Sequence, residues 1–150
     1  MKKIAIGSDH GGLELKQAVR GLLQKRQLDC EDFGTDNTDS VDYPDFGSEV
    51  AEAVSSGKAD AGVLVCGTGI GMSIIANKYP GVRAALVHDE FTAQMAKEHN
   101  NANVLILGGR ILSVELGQRL VEIWLDTGFE GGRHQHRLDK ISAVEQRLRK

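Results

Sequence analysis

The sequence predicts an α/β chain in three layers. A five-stranded parallel sheet lies between helices in a Rossmann-like plan, and a C-terminal amphipathic helix closes the chain. Three observations carry this expectation. Short β-branched apolar runs alternate with amphipathic helical stretches, the order that builds a parallel sheet with right-handed crossovers. The runs are continuously apolar rather than alternating, as strands covered on both faces require. The residues just after most runs are small, polar or ionisable, and parallel sheets bind ligands beyond the carboxyl ends of their strands.

The elements follow in order. Lys3–Ile6 is the first strand, and Leu13–Lys25 is a helix with Leu15, Val19, Leu22 and Leu23 on one stripe. Leu28–Phe33 is the second strand. Pro44–Ser55 starts on a proline, which suits a helix N-terminus, and spaces Phe46, Val50, Ala53 and Val54 helically. Gly62–Cys66 is the third strand and runs into a helix beginning near Ile70–Ser73. Ala84–His88 and Val104–Leu107 are the remaining strands, with helices at Phe91–His99 and Ser113–Leu125. The last of these buries Leu116, Leu120, Ile123 and Trp124. Beyond Phe129–Arg137, the residues Leu138, Ile141, Val144 and Leu148 form a terminal apolar stripe, which either docks on its own domain or lies across a partner subunit.

Length and composition bound the possibilities. The 150 residues, 41% hydrophobic and 26% charged, suit one domain spanning 1–150, with no linker, low-complexity tract or second domain expected. A formal charge of -3 argues against a nucleic-acid partner. No apolar run approaches the roughly 20 residues needed to span a bilayer. Met1–Gly7 breaks into polar residues too early for a signal peptide, so a cytoplasmic protein is expected. The two cysteines, Cys30 and Cys66, lack Cys-x-x-Cys spacing and are expected as free thiols.

The segment Cys66-Gly67-Thr68-Gly69-Ile70-Gly71-Met72-Ser73 is the most informative. A strand running into glycines and then a helix makes an anion cradle from unpaired N–H groups. A dinucleotide site wants G-x-G-x-x-G and an acid about 20 residues on. Gly67 and Gly69 fit that pattern and Asp89 lies at a tolerable distance, but Met72 replaces the third glycine. The Gly-Lys-Ser/Thr ending of a nucleotide-hydrolase loop is missing too. The other candidate anion is an enediolate, formed when a proton leaves the carbon beside a carbonyl. Cys66, at the mouth of the helix, then reads as a general base, because backbone donors there favour the thiolate. A strand-end cysteine that only packs is the equal alternative, and for Cys30, with no glycine loop beside it, packing is the expectation.

Other polar residues carry two readings each. Asp9 caps the first helix or joins a ligand site with His10, Gly11 and Gly12, and His10 either fills the loop or binds phosphate. His99 stabilises a helix C-terminus or shuttles a proton in opening a cyclic sugar. Asn77 and Asn100 cap helices or bind hydroxyls. Arg133 and Arg137, four apart near His134 and His136, form a solvated patch or a fork for phosphate oxygens, which Arg110 joins. No pair among the five histidines has zinc spacing, and His134 and His136 point to different helix faces. No metal and no cofactor are expected.

These segments together resemble ribose-5-phosphate isomerases of type B, in the group that includes galactose- and allose-6-phosphate isomerases. The resemblance runs nearly end to end. It rests on Gly7–Gly12, Val41–Pro44, Cys66–Gly71, Glu98-His99-Asn100, and Glu130–His134 with Arg137. It implies interconversion of ribose 5-phosphate and ribulose 5-phosphate in the pentose phosphate pathway, with a six-carbon aldose phosphate such as allose 6-phosphate as the alternative. A non-catalytic phosphate- or nucleotide-binding module is a third possibility. By resemblance, Cys66 is the base, Gly67, Gly69 and Gly71 hold the enediolate, and Thr68 lies near the moving proton. His99, assisted by Asp9, opens the ring, while Tyr43 and Asn100 line the sugar site. His10, Arg110, Arg133, His134 and Arg137 bind phosphate. Some members replace the cysteine by a nearby glutamate, and Ser73 fits the cysteine-dependent branch. The resemblance also implies a homodimer or dimer of dimers with shared sites, the segment from about 129 to 150 serving both phosphate binding and dimer contact.

Overall fold

The computed structural model describes residues 3–149, and Met1, Lys2 and Lys150 lie outside them. The strands are β1 (Lys3–Ser8), β2 (Asp29–Asp32), β3 (Ala61–Cys66), β4 (Ala84–Leu86) and β5 (Val104–Gly108). The helices are α1 (Leu13–Lys25), α2 (Tyr43–Ser55), α3 (Ile70–Ala76), α4 (Glu90–Glu98), α5 (Val114–Asp126) and α6 (Arg133–Leu148), and a 3-10 turn, His10–Gly12, precedes α1. The strands pair in parallel in the order β2-β1-β3-β5-β4. The expected three-layer fold is present.

One apolar core lies on each face of the sheet. Leu15, Val19 and Leu23 of α1 and Leu120, Val121 and Trp124 of α5 meet Val63, Val65 and Leu105 on one side. Val50 and Val54 of α2 and Met72 of α3 meet Leu64, Val104 and Ile106 on the other. Successive strand residues therefore serve opposite cores, which is why the runs are apolar throughout. Met72 packs beneath Gly47, where a Cβ would stand 2.8 Å from its sulfur. A core position accounts for a methionine where a dinucleotide loop would have glycine.

The two edge strands are shorter than their apolar runs suggest. β2 covers four residues with Asp29 and Glu31 exposed, and β4 covers three. An edge strand has one neighbour to pair with, and its pairing ends where that neighbour turns away. The terminal stripe also divides. Leu138 is buried, whereas Ile141 is 55% and Leu148 70% exposed, so the apolar docking of α6 is confined to its start, and near its end the Glu145 carboxylate accepts from the Gly81 N–H at 3.1 Å.

Candidate active site

The chain passes from β1 to β2 on one side and then to β3 on the other, so strand order reverses between β1 and β3. Their carboxyl ends are Ser8 and Cys66. A crevice for ligands opens at such a switch point. Loops from four elements meet there. The Asp9 N–H donates to the Val65 carbonyl at 3.3 Å, the Gly109 N–H to Cys66 at 2.8 Å and the Arg110 N–H to Gly67 at 2.9 Å. The loop after β2 is tied in through Ser8 to Gly34 and Thr35 to Ser8, both 2.6 Å. Buried Lys16, not singled out by its sequence context, anchors that loop through two 2.9 Å contacts to Asp32 and a bond to the Thr35 carbonyl.

Cys66 closes β3 at this switch point, 5% exposed, and its Sγ accepts a hydrogen bond from the Gly69 N–H at 3.2 Å. Gly69 adopts φ +83°, a left-handed conformation that glycine takes without strain, and this turn aims its N–H back at the thiol. Thr68 is exposed at the rim, its Oγ1 accepting from the Ile70 N–H at 3.3 Å. The Tyr43 ring lies over Gly71, where a Cβ would stand 2.5 Å from it. The Arg110 guanidinium spans Gly67 and Gly11, within 3.3–3.4 Å of Cβ positions built on each. Asp9 Oδ1 accepts from Gly12 at 3.1 Å, so the capping role is real but uses one oxygen. His10 accepts from the Val41 N–H through Nδ1 at 3.2 Å, which leaves Nε2 as the atom that could meet a ligand. Asp9, His10, Tyr43, Cys66, Thr68, the glycines and Arg110 thus form one group.

His99, Asn100, Arg133, His134 and Arg137 form another group elsewhere. His99 closes α4, and the chain then enters the amino end of β5, whereas Cys66 pairs with Gly108 at its carboxyl end. The length of β5 alone separates the two groups by about 13 Å. The His99 and His134 rings stack with centroids 4.1 Å apart and planes 13° apart. His134 is buried, so it stands apart from the exposed Arg133 and Arg137 on α6. Glu130 Oε1 lies 3.3 Å from His134 Nε2 and 3.9 Å from His99 Nε2. Glu130 and Glu98 were visible in their motifs but had no role assigned. An apolar groove of about 260 Å³ opens beside this group, lined by Val82, Ala84, Asn100, Leu138 and Ile141.

Several alternatives are settled by contacts. Asn77 brackets β4, accepting from the Ala84 N–H and donating to its carbonyl, each at 3.0 Å, which is the capping and structural role. Asp89 caps α4, its Oδ1 accepting from the Thr92 N–H at 2.8 Å. Cys30 is half-buried, and burial pushes its thiol up to about 11. No helix among the described residues is long and apolar enough to cross a membrane.

The chain matches the family model for ribose/galactose isomerases over residues 4–141. It is 46% identical over 147 residues to ribose-5-phosphate isomerase B of Escherichia coli, covering 98% of this chain and 99% of the relative. The solved structure of Clostridium thermocellum ribose-5-phosphate isomerase B matches with a TM-score of 0.96 at 50% identity, covering 98% of this chain and 99% of that one. The Mycoplasma genitalium enzyme, solved with bound ribulose-5-phosphate, matches with a TM-score of 0.93 at 44% identity, over 96% of each chain. Fold and comparisons together define an aldose–ketose isomerase on a parallel α/β sheet. The chain belongs to the ribose/galactose isomerase family.

Proposed function

We propose that this chain interconverts D-ribose 5-phosphate and D-ribulose 5-phosphate through a cis-enediolate, with Cys66 as the base. The observation that carries the proposal is Cys66 Sγ under the Gly69 N–H, at the start of a helix and at the strand-order switch. Once the sugar is open, Sγ takes the proton from C2 and the electron pair moves into the C1–C2 bond. The carbonyl oxygen at C1 gains negative charge, which N–H groups of the Gly67–Gly71 segment at the helix start would meet, apart from those of Gly69 and Ile70, already donated to Cys66 Sγ and Thr68 Oγ1. Within the enediolate the O2 hydroxyl proton passes to O1, and return of the Sγ proton to C1 as O2 becomes the carbonyl gives the ketose. Thr68 stands beside this path.

Ring opening precedes that transfer. A proton passes from His99 to the ring oxygen as the C1–O4 bond breaks, and the anomeric hydroxyl gives up its proton to Asp9. Tyr43 and Asn100 line the sugar, and His10, Arg110, Arg133 and Arg137 take the phosphate. His134, stacked beneath His99, acts through that ring rather than on phosphate directly.

The reaction so described needs groups from opposite edges of the sheet, so each site is composed from two copies of the chain. Support comes from apolar surface near each group. Ile70 and Ile74 are exposed beside the glycine loop, and Ile141, Val144 and Leu148 are exposed on α6 beside the apolar groove. A second copy covers such surface at a gain of about 25 cal/mol per Å². On this reading the protein is a homodimer, or a dimer of dimers, working in the cytoplasm, where its thiols stay reduced.

The test is isomerisation of ribose 5-phosphate in deuterated water, before and after EDTA. Deuterium enters the ketose at C1, EDTA changes nothing, and Cys66→Ala abolishes both turnover and exchange while leaving the fold intact. Full exchange in Cys66→Ala would remove the thiol from the reaction.

A further inference from the structure

Glu130 has no assigned part in the reaction, yet it contacts both stacked imidazoles. Its Oε1 lies 3.3 Å from His134 Nε2 and 3.9 Å from His99 Nε2. His134 is 7% exposed, and its Nε2 is buried without an aligned hydrogen bond. Beyond Glu130, the acid facing His99 is Glu98, 3.8 Å away, and its other oxygen already accepts from Gln94 at 2.9 Å. The Glu130 N–H donates to the Glu98 carbonyl at 3.0 Å, which fixes the loop before α6 against the end of α4. The carboxylate is held within 4 Å of a ring nitrogen of each imidazole.

One atom from each of His99, Glu130 and His134 lies within 4.8 Å of the others, a spacing that also invites a metal. The ring stacking argues against it. In-plane lone pairs on rings 13° from parallel do not converge on one ion about 2.1 Å from each nitrogen. The arrangement suits proton handling instead: a buried ring as floor, a more exposed ring above it, and a carboxylate at the side of both.

We propose that Glu130 is a positioning residue for ring opening. Its carboxylate orients the His99–His134 stack and supplies counter-charge for the proton that His99 gives up and regains, so cyclic sugar phosphates need it and open-chain ones do not. The inference rests on the isomerase reading above. It separates two half-reactions chemically. Ribose 5-phosphate closes to a furanose through O4 and must be opened. Ribulose 5-phosphate has its C5 oxygen esterified, cannot close to a furanose, and reaches Cys66 already open.

The experiment compares Glu130→Gln with the wild-type dimer on both sugars. Gln is isosteric and the side chain is 46% exposed, so the variant keeps the fold, checked by thermal melting. The expected result is a loss of about 10- to 100-fold in ribose 5-phosphate turnover, within the range of general acid–base contributions. Initial deuterium wash-in at C1 of ribulose 5-phosphate stays within about threefold of wild type, because that exchange bypasses His99. Equal loss on both measurements, or no loss on either, overturns the role. A wild-type protein that neither turns over ribose 5-phosphate nor labels ribulose 5-phosphate overturns the isomerase reading, and this inference with it. Wild-type activity with equal losses overturns this inference alone.

Discussion

The two edges of the sheet are built differently. At the carboxyl edge, backbone touches backbone: a Cβ on Gly12 would stand 2.6 Å from the Val65 carbonyl oxygen, one on Gly109 2.7 Å from that of Gly11, and one on Gly108 2.8 Å from that of Thr68. At the amino edge backbone bonds also tie the loops, as from Glu130 to Glu98, but the ionisable groups meet through side chains, in the His99–His134 stack and the Glu130 carboxylate, with Arg133 and Arg137 on the exposed face of a helix. The difference matches the work proposed for each. Stabilising an oxyanion requires donors that do not reorganise, and interlocked backbone provides them. Opening a ring and gripping a phosphate require groups that adapt to the ligand, and side chains do that.

The comparison breaks most decisively by mixing inactive chains. Cys66→Ala and His99→Ala are each expected to lose about 10²- to 10⁴-fold in turnover. Unfolded together and refolded, they form mixed dimers in which one site of two carries both intact halves. Activity returning to about a quarter of wild type is the expected outcome for shared sites in a two-fold dimer. No recovery, with mixed dimers shown to form, would mean that each chain holds a complete site.

Adding a methyl group tests the rigid edge within itself. Gly12→Ala pushes a Cβ into the Val65 backbone, which cannot swing aside, and should cost about 1–3 kcal/mol in urea unfolding. Gly71→Ala meets the ring of Tyr43, which is 38% exposed and can turn away. It should retain stability and raise KM several-fold, about 1 kcal/mol of binding. Similar unfolding midpoints for the two variants would contradict the backbone-locked description.

Arg137→Ala tests the adaptable edge. An exposed arginine on α6 contributes little to folding, so the melting temperature should hold while KM rises about tenfold, the loss of one charge-assisted contact. An unchanged KM would remove Arg137 from the site. The smallest effect concerns the other thiol. Burial raises Cys30 to about 11, so its reactive thiolate is scarce at neutral pH and grows about tenfold per pH unit toward that value. Alkylation of Cys30 in folded Cys66→Ala, followed by mass spectrometry, should rise in that way, and a rate already maximal near pH 8 would refute it.

Much of the carboxyl edge was legible in the sequence because local chain order builds it. Cys66 ends a strand, its glycines begin the next helix, and Asp9 and His10 follow β1 directly. The alternatives at Asn77 remained open because a capping side chain and a ligand-binding one have the same sequence appearance, and its contacts with Ala84 separated them. Lys16 lay on an apparently apolar helix stripe and showed no sign of its buried pair, since Asp32 is 16 residues away.

The sequence by itself determined the parallel sheet, the two-sided core and the family motifs, because hydrophobic period and strand-end composition are local properties. Tertiary structure alone decided the grouping. It put Arg110 with Gly67 and Gly11, His134 with His99 and Glu130, and these sets at opposite ends of β5. The physical reason is that strand order and helix direction set which edge a loop reaches. His99 follows a helix returning to the start of a strand, while Cys66 ends one, and no spacing along the chain expresses that separation.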